Sequence, residues 1–437
     1  MWWFTVEIFV FRGLKVSAEA RFLLQAMVCR EADFPSLSFT VKKASKQLGL
    51  SERLVRSGAQ ELLESGLLTS EKPITRIGRP LQEYTSSQLL RKLMGEVDRS
   101  QVNHSELINK LFGEPEIYAL GPGVSGTEEV RESNKKSARK LTRGDGRPAA
   151  PGAKGRLAAP ARMLLAALLS FADDCGVATG VGEAKLREMT GLNAPALKHQ
   201  LRRLASFGFI RTHVPGVSNS IFIGSKVPAI YYLNLSHPQL CEKQVNHGLV
   251  IYVARGPQKF SRLALGVPSN KALRALGPNA LEMLHHKLAG HTSRLLTAVW
   301  GESDEVARDL KVNVASEVVK DLGRLWIGDP SKTKGSYWPD TQENFYSAAC
   351  QWAELLHRRL SRWGVWKGYR PQQVRIISVM DVDDGVTFTS LIVYPMPQAD
   401  SKCLAIWDHH NGHVDEYGCE ASLGLAARYD IGLLRKV

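Results

Sequence analysis

The sequence predicts an α+β protein. Two tandem copies of a small domain, each of three helices and a strand hairpin, precede a C-terminal α+β domain of helices and an antiparallel meander. Three observations predict this. The stretch "LGLSERLVRSGAQELLESGLL" at 48–68 returns in residue types as "TGLNAPALKHQLRRLASFGFI" at 190–210, so that Asn193 stands 142 residues after Ser51 and Gly208 142 after Gly66. Seven of the nine tryptophans lie beyond residue 299 and none between residues 4 and 299, which marks a separately packed domain. Finally, apolar runs flank Asp383-Asp384-Gly385 and Asn411-Gly412, both hairpin signals.

Residues 1–16 contain the apolar "MWWFTVEIFVF", read as a leader or a strand. The run is short, carries Glu7 and has no basic segment or cleavage site, so neither a signal peptide nor a membrane span is expected. Residues 17–95 form the first copy. It opens with a helix over "AEARFLLQAMVCR", then a shorter one over "TVKKASKQLG" that ends at Gly49. The next helix has Ser51 as its N-cap, an apolar stripe of Leu54, Val55, Leu62 and Leu63, and Gly66 past its end. Helix, glycine-containing turn and helix is the helix-turn-helix signature. "TSEKPITRIGRPLQEYTSS" then reads as a hairpin with a returning strand at 82–86.

Residues 96–155 read as a basic, flexible linker with one short helix over "HSELINKLFG". From Arg131 to Arg156 nine cations face only Glu132 and Asp145, an excess of +7, half of the chain's +14. A coil of about 60 residues spans roughly 40–45 Å, enough to set two heads in successive major grooves about 34–36 Å apart.

Residues 156–240 form the second copy: "APARMLLAALLSFA", "VGEAKLREMTG" ending at Gly191, and a helix with Asn193 as N-cap, Pro195 in the first turn and an apolar stripe of Leu197, Leu201 and Leu204. A second hairpin follows, with its returning strand at 229–234. Residues 241–437 form the third domain, expected to begin with helices over 279–300, 304–325 and 341–363 and to continue as strands.

Three helices and a hairpin make a winged helix. Both copies resemble bacterial and phage winged helix-turn-helix DNA-binding proteins. "GRPLQEYTS" is similar to the wing strand of repressors, and "EAKLREMTGLNAPALKHQLRRLASFGFI" is similar to modules of plasmid and phage replication proteins. The resemblance covers roughly residues 15–90 and 156–236. It implies duplex DNA as the partner.

The residues point the same way. A helix in the major groove needs donors that reach base edges. The second copy offers Asn193, Lys198, His199, Arg202 and Arg203; the first offers Ser51, Arg53, Arg56, Ser57 and Gln60, diluted by Glu52, Glu61 and Glu64. Arg76 and Arg79 at the first wing are placed to meet phosphate or a narrow minor groove. His213, Ser218, Asn219 and Lys226 are weaker counterparts in the second wing. The pI of about 9.5 fits a polyanion partner.

Catalytic chemistry is not expected. No Walker motif, Gly-x-Ser-x-Gly or partnered Cys/His arrangement occurs. "DVDD" at 381–384 and "DHH" at 408–410 resemble motifs of DHH phosphoesterases, but the order and context of those motifs differ. A two-residue turn at Asn411-Gly412 places His410 opposite His413 and Asp408 opposite Asp415, the one arrangement that suits a divalent ion. Six scattered cysteines without a Cys-x-x-Cys pair suggest a reduced, cytoplasmic protein. The expectation is therefore a sequence-specific double-stranded DNA-binding protein without cofactor or metal, most simply a bacterial transcriptional regulator. The alternative is a replication initiator of a plasmid, phage or other mobile genetic element that binds origin repeats. Homo-oligomerisation is expected through the C-terminal domain or the first winged helix. A metal-dependent nucleic-acid-processing enzyme stands third.

Overall fold

The computed structural model describes residues 15–30, 38–71, 82–95, 103–114, 117, 157–219, 221–222, 226–237, 239–240, 247–255, 278–301, 304–322, 326–327, 336–337, 341–362, 373–380, 387–395, 403–407, 413–417 and 423. The fold is mixed α+β with small sheets, in two compact units: residues 1–212 with 233–242, and residues 213–232 with 243–437. Among the described residues no helix is long and apolar enough to cross a membrane.

The first unit holds both sequence repeats. In the first, α1 (Ala18–Arg30) leads through β1 (Ser38–Thr40) to α2 (Val41–Leu48) and α3 (Glu52–Glu64), then β2 (Leu68–Glu71), β3 (Glu83–Ser86) and α4 (Gln88–Gly95). The strands form one sheet in the order β1-β3-β2, with Phe39 opposite Tyr84 and Leu68 opposite Ser86. After α5 (Ser105–Gly113), the second repeat runs α6 (Ala159–Leu169), β4 (Val177–Ala178), α7 (Glu183–Thr190) and α8 (Ala194–Ser206). The chain leaves the unit along β5 (Ile210–Val214) and returns along β8 (Ile230–Leu233).

The repeats end their third helices alike. Gly66 and Gly208 take φ of 74° and 79°. Leu67 N donates to Leu62 O at 2.9 Å and Phe209 N to Leu204 O at 3.0 Å, so each helix closes in a Schellman turn with a buried apolar residue behind its glycine. The apolar stripes follow the periodicity with adjustments: Val55, Gly58, Ala59 and Leu62 are the buried positions of α3, with Leu54 and Leu63 half-buried beside them, and in α8 Leu197 and Leu204 are buried while Leu201 is half-buried.

The described part of 96–155 is not free chain. Ile108, Leu111 and Phe112 of α5 are fully buried, and Phe112 packs on Phe22 of α1 with ring centroids 5.3 Å apart. Helix α5 lies against both α1 and α6, and α1 lies against α6. The two repeats thus share one core instead of hanging on a tether. The basic run 131–156 and the residues 1–14 lie outside the described residues.

The second unit begins with a strand, not with helices. β9 (His247–Arg255) is the centre of a five-stranded sheet of order β12-β13-β9-β14-β15, where β12 is Arg375–Met380, β13 Thr387–Pro395, β14 Cys403–Trp407 and β15 His413–Tyr417. β14 runs parallel to β9, so the expected antiparallel meander is a mixed sheet. "GLVIYVAR" reads as an unbroken apolar run because Leu249 to Val253 are buried throughout, the pattern of an interior strand. Helices α9 (Pro278–Gly301), α10 (Asp304–Asp321) and α11 (Thr341–Arg362) pack together, and α9 also packs on β12. Two short strands, β10 (Trp326–Ile327) and β11 (Ser336–Tyr337), pair with each other.

The second hairpin, β6 (Val217–Ser218) with β7 (Lys226–Val227), belongs to this unit. It lies against α9, and buried Phe222 bridges to Leu322. The hairpin expected to belong with the second repeat is instead packed against α9 of the next unit.

Candidate nucleic-acid interface

Helix α8 carries three cations. Asn193 Oδ1 accepts from Ala196 N at 2.9 Å and starts the helix, while Leu197 and Leu204 bury one face. The opposite face exposes Lys198, His199 and Arg202. Arg203 is half-buried, its guanidinium 5.5 Å from the centroid of Phe207. No acidic residue occurs in α8. Within the candidate set Asn193 is thereby a structural cap, and Lys198, His199 and Arg202 form the outward row.

Helix α3 differs. Ser51 Oγ accepts from Leu54 N at 3.3 Å, again a cap. Arg53, Arg56, Ser57 and Gln60 are all exposed, and Gln60 Nε2 donates to Glu64 Oε1 at 3.0 Å. Glu61 is not on this face: its Oε2 accepts from Ser17 N at 2.8 Å, supplying an acceptor where α1 begins. The exposed face of α3 therefore carries two glutamates, Glu52 and Glu64, instead of three.

Sequence reading predicted α2 as a helix but named none of its residues as candidate contacts. It exposes Lys42, Lys43 and Lys46 with no acidic residue, a signal already visible in "TVKKASKQLG". The counterpart α7 balances Lys185 and Arg187 against Glu183 and Glu188. The charges of the repeats are complementary: the first concentrates cations on α2, the second on α8. In a helix-turn-helix the first helix crosses the backbone and the second enters the groove.

The turn of the second repeat is anchored. Arg21, buried on α1, donates from Nη1 to Glu188 O at 2.7 Å and Met189 O at 3.0 Å, satisfying carbonyls at the C-terminus of α7. Gly191, at φ 73°, lies so close to α1 that a Cβ would stand 2.8 Å from Val16 O. Arg162, 141 residues after Arg21 and also buried, donates to Glu114 O at the end of α5 and lies over Phe22, 4.9 Å from the ring centroid. Repeat-related arginines thus each close another helix, and the two repeats are held as one body.

Arg76 and Arg79 lie outside the described residues. In the second hairpin His213, Ser218 and Lys226 are exposed, and Asn219 Oδ1 accepts from Ile221 N at 3.0 Å within its own turn. The metal arrangement at the last hairpin does not form as expected. The register pairs Trp407 with His413 and Ala405 with Asp415, so the turn is longer than Asn411-Gly412 and His413 has no histidine opposite it. Pairing of β14 with interior strand β9 fixes that register, which outweighs the local preference of Asn-Gly. His413 Nε2 instead meets Asp415 Oδ1 at 2.7 Å on its own strand; Asp408, His409 and His410 lie outside the described residues. In the other hairpin Met380 pairs with Phe388, and the expected Asp383-Asp384-Gly385 loop lies outside the described residues. Among the described residues no group of three His, Cys, Asp or Glu is placed to hold a metal ion.

Of the helix histidines, His286 and His291 are buried, with Tyr232 Oη 2.9 Å from His286 Nδ1 and His291 Nε2 3.0 Å from Asp321 Oδ2, and half-buried His285 stacks on Trp352. No family model, curated protein or solved structure matches the chain.

Proposed function

We propose that the two repeats are tandem winged helices and that the chain is a sequence-specific double-stranded DNA-binding protein acting as a transcriptional regulator. The observation that carries this reading is the outward row Lys198, His199 and Arg202 on α8. It stands on a helix fixed by a cap, a Schellman turn and a buried opposite face. Such a helix presents donors to base edges without first having to order itself, so ordering entropy does not offset the contacts. The lysines of α2 supply phosphate contacts that set register without reading sequence.

The test begins with sequencing the duplex fragments that the protein retains from a random pool at moderate salt. A single recurrent motif is the expected result, and motifs near promoters rather than iterated origin repeats distinguish a regulator from an initiator. Lys198→Ala and Arg202→Ala should each weaken binding to that motif by about 1–3 kcal/mol while leaving the melting temperature unchanged, because both side chains are exposed. Unchanged affinity in both variants removes α8 from the role.

A further inference from the structure

The two repeats meet through equivalent helices. Helix α1 of the first packs on α6 of the second, and the two are the same helix of the repeat, with Arg162 standing 141 residues after Arg21. Residues 20–28 and 161–169, the same stretch of each, are buried without a break. Such all-round burial arises because each helix packs on the third helix of its own repeat and also on the other repeat.

The same face is used on both sides. Arg21 donates to Glu188 O and Met189 O of the second repeat, and Arg162 lies over Phe22 of the first, 4.9 Å from its ring centroid. A contact made by one face with its own equivalent relates the partners by a two-fold axis, whereas copies related by a shift meet through two different faces. Helix α5 packs on both α1 and α6 and closes the join.

We propose, resting on the reading of the repeats as DNA-binding heads, that the duplex site is bipartite, with its two halves in inverted orientation at one fixed spacing. Two bodies related by a two-fold axis meet one duplex along a dyad of that duplex, so their half-sites run in opposite directions. Heads that share a core cannot slide apart to follow a longer site. The halves differ in sequence, because Arg56, Ser57 and Gln60 of α3 stand where α8 carries Lys198, His199 and Arg202. The inversion is therefore hidden in the parent's site, and making the heads alike reveals it.

The full chain selects duplexes from a random pool, as the parent and as a variant carrying Arg56→Lys, Ser57→His and Gln60→Arg, all exposed positions. The variant should retain an inverted repeat of one half of the parent's motif. The parent's own motif is then lengthened at its centre by about half a turn and by about one turn, roughly 5 and 10 base pairs. Both insertions should weaken binding by about a hundredfold or more, because one head loses its half-site. Heads on a flexible tether would recover at the full turn. The insertions use the parent alone, so they decide the matter even where the triple variant melts early. A direct repeat retained by the variant overturns the inverted orientation, and recovery at the full turn overturns the fixed spacing. A parent motif of one short half, indifferent to Arg56→Ala, overturns both while leaving α8 as a DNA reader. A parent that retains no recurrent motif removes the DNA reading itself, and the bipartite site with it.

Discussion

Glu61 and Glu64 stand one turn apart on α3, yet one closes the start of α1 and the other meets Gln60 in solvent. Residue type alone does not separate them; the partner does. The same holds for His285 on α9, whose ring stacks on Trp352 with centroids 5.9 Å apart. Burial pushes its imidazole down to about 4, against an unfolded value near 6.5. The folded state therefore resists a proton that the unfolded chain accepts. Its contribution is complete above pH of about 6.5 and is lost as pH falls from there toward about 4. Denaturant melts should show stability decreasing across that window, with on the order of 2 kcal/mol traceable to this ring. His285→Phe keeps the stacking and removes the proton, so it should flatten that part of the profile. An acid slope identical to the parent's would assign the loss to other groups.

At the scale of elements, caps, glycine stops and apolar periods were legible in the sequence because each is a local, short-range demand. Ser51, Asn193, Gly66 and Gly208 do what their positions require. What was not legible depends on distant partners. β9 hides because an interior strand loses its alternation, and the β14–β15 register obeys β9 instead of the Asn-Gly turn. The packing of α5 depends on Phe22, ninety residues before Phe112, and the anchoring of α7 depends on Arg21. Of the candidate site, the exposed row of α8 was readable from its period and Asn193 from its place as the cap, whereas the role of Glu61 needed coordinates. A matched glycine pair tests the anchoring. Gly180 and Gly191 have φ of 72° and 73°, but a Cβ at Gly180 meets nothing within 4 Å, whereas at Gly191 it meets Val16 O and Arg21 Nε. Gly180→Ala should cost about 1–2 kcal/mol from backbone conformation alone. Gly191→Ala should cost more by on the order of 1–3 kcal/mol, read from denaturant midpoints. Equal costs would mean that the turn of the second repeat is not held against α1.

For the whole molecule, the excess of +14 is distributed unevenly, and its parts should act differently on a polyanion. Phosphate contacts release counterions, so the logarithm of affinity falls with the logarithm of salt by about 0.9 per phosphate neutralised. Base contacts add affinity for one sequence over another with little effect on that slope. The proposed division between the repeats thus yields two separable signatures. Replacing Lys42, Lys43 and Lys46 together by Gln removes three exposed cations from α2. Binding to every duplex should weaken in parallel, with the salt slope shallower by about 2–3. Arg202→Ala should mainly erode the preference for the retained motif over a scrambled one, with a slope change of about one at most. Salt titrations of parent and variants on both duplexes check this. If the triple variant changed sequence preference, or if Arg202→Ala weakened both duplexes equally, the assignment of α2 to the backbone and α8 to the groove would have to be reversed or abandoned.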